Sequence, residues 1–142
     1  MGFNEILSKM FGNKAQRDLR EVMPYVEKIK SAYEEISKLS NDQVRQHTEA
    51  IKQKIAEYIA NETNRIAELK DNIENEPLEN REKIYEEVDK LEKKALEKLE
   101  EVLLEVLPEA FAIMKDTARR FNENSEVEVT ANDFDRLLAT KT

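Results

Sequence analysis

The chain has 142 residues with only two glycines and three prolines, while 38% of its residues are charged and 6% are aromatic. So few turn-forming residues make a sheet-rich fold improbable, and the abundant Glu, Lys, Leu, Ala and Ile favour or tolerate helix. The net charge is -8, and the absence of cysteine excludes disulfides, thiolate metal sites and a cysteine nucleophile. The composition therefore predicts an all-α protein with a thin core.

The first residues form a short amphipathic pattern that ends at Gly12. Apolar side chains recur there at helical spacing, and basic residues accompany and follow them. Such a helix either packs on the rest of the protein or docks on an anionic surface, and periodicity by itself favours packing. The candidate docking residues are Phe3, Ile6, Leu7, Lys9, Met10, Phe11, Lys14, Arg17 and Arg20.

A second apolar stripe runs from Leu19 to Leu39 and predicts a helix with one core-facing side. Pro24 lies inside this stripe and cannot donate the backbone hydrogen bond that a helix requires. We therefore expect a kink or a fresh helix start near Met23.

Two longer stripes predict a long antiparallel helical hairpin over about residues 41–107, within an elongated helical bundle. Ser40 and Gln43 match a capping box at its start, and the apolar pattern pauses near Pro77. Between Glu68 and Glu109 there are 15 acidic and 7 basic residues, so this segment would repel nucleic acid. We expect an acidic, solvated and mobile tip, and such a hairpin could also exchange between two copies to form a homodimer.

The end of the chain is less regular. Pro108 predicts a kink or a new helix, after which an apolar stripe continues to Phe121. Val127 and Val129 alternate with glutamates as in a strand that lacks a partner, and Thr130 begins a second cap-like pattern. The predicted organisation is an amphipathic helix over 1–12, a helical region over 13–107 and a third segment over 108–142.

No residue pattern indicates catalysis. His47 is the only histidine, which excludes a two-histidine metal site, and we expect it at the surface. Gly2 and Gly12 are the only glycines, so the chain lacks a glycine-rich phosphate loop. We predict no catalytic, cofactor-binding or metal site, which leaves an interaction module, for instance a self-contained coiled-coil adaptor, as one hypothesis.

Three blocks resemble the SecA preprotein translocase ATPases. They are the opening FNEILSKMFG over 3–12, a block beginning at Leu39 and Ser40, and LPEAFAIMKDTARRF over 107–121. The third block is similar to the family's LPEAFAVVREAxRR stretch almost residue for residue. The region 55–102 is longer than is typical between these blocks, and 122–142 looks inserted, as in Bacteroidetes-like sequences of the family.

The resemblance implies an N-terminal segment of the ATP-driven motor that exports preproteins through the SecYEG channel. It implies that 108–142 begins the first nucleotide-binding domain, whose ATP and Mg sites come later, so that this chain would have no ATPase activity by itself. It also implies that the N-terminal candidates dock on anionic phospholipid and on SecYEG, which reverses the preference for packing. The parent would be cytoplasmic and peripheral at the inner face of the cell membrane.

Overall fold

The computed structural model describes residues 14–141, and these residues form helices without any strand. The all-α prediction is therefore confirmed, whereas the amphipathic helix predicted over 1–12 lies outside the described residues. The elements in chain order are α1 (Lys14–Ile36), α2 (Asn41–Asn72), a single 3-10 turn (Ile73–Asn75), α3 (Leu78–Glu123) and α4 (Asp133–Ala139).

Helices α2 and α3 form the predicted antiparallel hairpin. Lys54 near the start of α2 pairs with Glu105 late in α3 at 2.6 Å, and Lys70 near the end of α2 pairs with Glu92 at 2.7 Å. The 46 residues of α3 span about 70 Å at the usual helical rise. The elongated shape therefore follows from the length of this one helix.

The core lies at the base of the hairpin, where the second half of α1 packs against α3. Ile36, Val44, Ala112 and Ile113 are buried together there. The ammonium of Lys115 lies 4.4 Å from the centre of the Tyr33 ring, a favourable cation–π contact that also joins α1 to α3. The predicted thin core is confirmed.

Local hydrogen bonds stabilise both ends of α2. The Ser40 hydroxyl accepts from the backbone N–H of Gln43 at 3.3 Å, and the Gln43 amide oxygen accepts from the Ser40 N–H at 2.8 Å. The predicted capping box is confirmed. At the tip, the guanidinium of Arg81 donates to the carbonyls of Glu74 and Glu76 and so closes the turn between α2 and α3. Glu74 is exposed and Glu76 half-buried, while the mobility of the tip stays a prediction.

Neither internal proline ends a helix. Pro24 lies within α1 and Pro108 within α3, so a fresh helix start near Met23 or at Pro108 is wrong. Each proline removes one hydrogen bond, whereas the flanking turns of a long helix keep theirs. The division of the chain at residues 107 and 108 stays a prediction, although α3 is continuous across it.

The residues after α3 are not a strand. Residues 124–132 run without regular structure to α4, so the alternation at Val127 and Val129 is misleading. The predicted cap at Thr130 is also wrong, because Asn132 and Asp135 make the capping box of α4.

Candidate docking surface

The first half of α1 carries three of the predicted docking residues. Lys14, Arg17 and Arg20 are all exposed along this helix. The remaining candidates lie outside the described residues, and they are Phe3, Ile6, Leu7, Lys9, Met10 and Phe11. The structure therefore places three of the four basic candidates, and Lys9 and the apolar candidates stay a prediction.

An apolar face on the same half of α1 is exposed, contrary to the sequence prediction. Leu19 and Val22 retain 57% and 52% of their accessible surface, and Met23 is exposed as well. These residues share one side of the helix through steps of three and four residues. Burial increases only later along the stripe, through half-buried Val26 to buried Ile36, because α1 packs on α3 in its second half. The prediction of a core-facing side is thus wrong for this half of α1.

This surface combines apolar and cationic side chains that are free to contact a partner. The helical spacing separates the two kinds of side chain. The basic side chains of Lys14, Arg17 and Arg20 lie opposite the apolar face of α1 or along the edges of that face. Helices with this arrangement lie on anionic lipid surfaces or pack in grooves of other proteins. The described geometry therefore suits docking.

Beyond the other end of α1, an ionic joint of Asp116, Arg119 and Arg120 holds the base of the bundle together. The Asp116 side chain is fully buried, and it accepts hydrogen bonds from Arg119 at 2.7 Å and from Arg120 at 2.6 Å. Arg120 also donates to the Asn41 side chain at 2.7 Å and to the Leu39 carbonyl at 2.6 Å. One carboxylate on α3 thus orients the guanidinium that fastens the turn between α1 and α2.

The protonation state of this joint is set by competing effects. Burial raises the pKa of Asp116, but the hydrogen bonds and positive charges of Arg119 and Arg120 outweigh burial and hold that pKa below its ordinary value. The carboxylate therefore stays charged at neutral pH. These three residues lie in the DTARRF part of the block that resembles SecA, and only their acid–arginine spacing of three and four signals a local pair.

A C-terminal strap, residues 124–139, lies along the first turns of α2 through polar contacts. The carboxylate of Asp42 accepts from the Thr130 hydroxyl at 2.6 Å and from the Thr130 backbone N–H at 2.8 Å. Arg45 pairs with Asp135 at 2.7 Å, and Asn41 donates to the Glu128 carbonyl at 2.8 Å. The Thr130 hydrogen bonds lower the pKa of Asp42, so this contact is strongest with the carboxylate ionised.

His47 lies at the edge of the hairpin, where α2 meets α3. Its Nε2 lies 2.8 Å from a Glu109 carboxylate oxygen, and 35% of its side chain is exposed, so the expected surface position agrees with the structure. Within residues 14–141, no group of three or more histidine, cysteine or acidic side chains could hold a metal ion. No helix in the described part of the chain is long and apolar enough to cross a membrane.

Comparison with known proteins identifies the family. A sequence model of the SecA DEAD-like domain matches residues 7–132. The chain belongs to the SecA family. It is 57% identical over 141 residues to the protein translocase subunit SecA of Parabacteroides distasonis, a match that covers 99% of this chain and 12% of that protein. The SecA subunits of Phocaeicola vulgatus and Porphyromonas gingivalis are 57% and 56% identical over 99% and 98% of this chain.

The predicted resemblance to SecA sequences of the Bacteroidetes type is therefore confirmed. The chain spans 12–13% of the length of these relatives. No solved structure matches the chain.

Proposed function

We propose that this chain serves as the N-terminal docking and support segment of a SecA motor, which uses ATP to export preproteins through the SecYEG channel. The observation that carries the proposal is the exposed amphipathic first half of α1, found in a chain of the SecA family. Large apolar side chains such as Leu19 and Val22 gain free energy when a partner removes them from water. The partners proposed here are the anionic phospholipid surface and the SecYEG channel.

The docking residues proposed form one continuous sequence segment. Basic side chains near an anionic membrane are attracted to its surface potential, while apolar side chains insert below the headgroups. Insertion would come from Phe3, Ile6, Leu7, Met10 and Phe11, and the attraction from Lys9, Lys14, Arg17 and Arg20. Because Leu19, Val22 and Met23 are exposed on α1, we include them in the proposed inserting set.

Support is the second part of the proposed role. The ionic joint connects α3 to the turn between α1 and α2, so the direction of α1 depends on buried Asp116 and on Arg120. A fixed direction lets a docked α1 transmit its position to the rest of the bundle. The exposed hairpin extends away from this base and has no assigned partner.

ATP chemistry belongs to the parent in this proposal. The two glycines of the chain, Gly2 and Gly12, cannot supply a phosphate-binding loop, so ATP and Mg would bind other parts of a SecA subunit. The proposed location is cytoplasmic and peripheral, at the inner face of the cell membrane. Calorimetry of the chain with MgATP should show no binding heat, and a saturable signal would contradict this part of the proposal.

The SecA match favours this role over a self-contained coiled-coil adaptor. The two readings also differ in what they require of α1. An adaptor would bind its partner through the hairpin of α2 and α3, and the basic start of α1 would have no role. Loss of membrane or channel binding on changing α1, with the hairpin intact, therefore distinguishes them.

Sedimentation with liposomes tests the docking. The chain should bind vesicles of anionic lipid more strongly than neutral vesicles, and added salt should weaken the binding. Two double variants, Phe3→Asp with Leu7→Asp and Leu19→Asp with Val22→Asp, should each reduce binding by an order of magnitude or more. The matched control is Leu137→Asp with Leu138→Asp, which adds the same charge at similarly exposed leucines of α4.

Each outcome bears on the proposal directly. Equal losses in the control would show that added negative charge, and not the α1 surface, explains the effect. Absence of lipid binding, together with failure of the chain to bind SecYEG in detergent, would remove the docking role. Binding to SecYEG that the α1 variants abolish would support docking through the channel.

A further inference from the structure

The hairpin seam contains one charged layer in an otherwise apolar stripe. From Ile51 onward, the α2 residues of the seam with α3 recur at steps of four and three, and all except Glu62 are apolar. On α3, Lys98 occupies the corresponding position between Ala95 and Val102. The apolar members of the seam are Ile51, Ile55, Ile59, Ile66 and Leu69 of α2, followed by Ile73 of the 3-10 turn.

Glu62 is held from both sides by lysines of α3. The residue is only 3% exposed, and its two carboxylate oxygens accept from Lys94 at 2.9 Å and from Lys98 at 2.8 Å. The Lys98 hydrogen bond, followed by that of Lys94, lowers the pKa of Glu62 to about 2. Both oxygens therefore have a cationic partner, and the carboxylate stays ionised in the folded hairpin.

Other ion pairs across the hairpin differ from this one in their exposure. Lys70 and Glu92 join the same two helices, but their side chains remain 55% and 51% exposed. Exposed pairs of this type contribute little to stability. Glu62 and Val44 are the only buried residues of α2, and Glu62 is the charged one.

We propose that Glu62 and Lys98 form a polar layer that lets α2 pair with α3 and prevents its pairing with the same helix of a second copy. A seam of isoleucines would accept many apolar helices, whereas a buried carboxylate requires a cation at one matching position. Two α2 helices in parallel register would place Glu62 against Glu62. Compared with apolar residues at the same two positions, the layer adds little stability to the hairpin. Its effect is to determine which helix can pair with α2.

Exchange of hairpins between two copies is a separate case. In an exchanged dimer, α2 of one copy would still meet α3 of the other, so Glu62 would keep its lysines. The polar layer therefore does not oppose exchange, and any exchange would occur equally in the variants described next. The test must compare variants with the wild type.

The experiment replaces the layer with leucine in the whole chain, as Glu62→Leu with Lys98→Leu. Lys70→Leu with Glu92→Leu is the matched control, because it removes an exposed pair from the same two helices and adds the same two side chains. Sedimentation equilibrium over a range of concentrations measures mass, and urea unfolding measures stability. The buried double variant should associate beyond the wild type and the control, and its urea midpoint should equal or exceed that of the wild type.

A charge-reversed variant keeps the test decisive if the leucine variant aggregates. The triple variant Glu62→Lys, Lys94→Glu and Lys98→Glu reverses every charge of the layer and retains both pairs of opposite charge, so it should keep the mass and helix content of the wild type. The proposal is overturned if the leucine variant keeps the wild-type mass, if its urea midpoint falls below that of the wild type, or if charge reversal alters the mass of a folded chain.

Discussion

The substitution Asp116→Asn examines the ionic joint with the smallest change in shape. Asp116 is fully buried, and its carboxylate is the only charged partner of Arg120 among the described contacts of that residue. The asparagine amide cannot supply a negative charge, so the guanidinium would keep only the neutral oxygens of Asn41 and Leu39. Arg119 would be less affected, since it also pairs with Glu123 at 2.6 Å.

The size of the effect follows from the loss of the one negatively charged partner of Arg120. Removing one partner of a buried ion pair costs about 3–5 kcal/mol, because the other charge remains buried without compensation. In a chain of this length each kcal/mol lowers the melting temperature by about 2–4 °C, so the variant should melt about 10 °C lower. Unfolding by heat and by urea, followed by far-ultraviolet circular dichroism, measures both quantities.

Asp133→Asn is the matched control for this measurement. Asp133 pairs with Arg136 at 3.0 Å within one turn of α4, but its side chain is fully exposed. This variant should unfold like the wild type, because an exposed pair close in sequence contributes little. If Asp116→Asn costs less than about 1 kcal/mol, the joint is not a buried, obligatory ion pair and the reasoning is refuted.

Two further predictions concern the hairpin. The pKa of Glu62 is about 2 in the folded chain against an ordinary value of 4.5, so its stabilising effect is present above pH 4.5 and is lost as the pH falls toward 2. Glu62→Gln should therefore flatten the dependence of the urea midpoint on pH over this range, and an unchanged slope would contradict the assignment. Ser40→Ala should remove the capping box of α2 and lower the free energy of unfolding by about 1 kcal/mol, while Ser37→Ala, at an exposed hydroxyl, should not. Equal effects of the two serine variants in urea would argue against a specific capping contribution.

Much of the local structure could be predicted because its causes are local. The capping box at Ser40 and the apolar spacing that follows it predicted α2 and its hairpin partner correctly. Helical hydrogen bonds join residues four apart, and caps join residues three apart, so a short stretch of sequence contains the necessary information. The family could also be predicted, since the block over 107–121 is specific.

The wrong predictions concern features that depend on residues distant in the sequence. The stripe that begins at Leu19 indicates a face of α1, but only the position of α3 determines that Val22 is exposed and Ile36 buried. The alternation at Val127 suggested a strand, whereas the polar side chains of α2 hold that segment in an irregular path. Periodicity identifies a side of an element and does not show what covers it.

The sequence by itself therefore determined the helices, the hairpin and the family, through spacing, capping residues and one specific block. Only the tertiary structure decided that Asp116 of α3 and Glu62 of α2 are buried while most other carboxylates of these two helices are exposed. In the sequence these residues are two acids among 31. Their burial depends on which long-range partners surround them, and a buried carboxylate is tolerated only where arginine or lysine meets it.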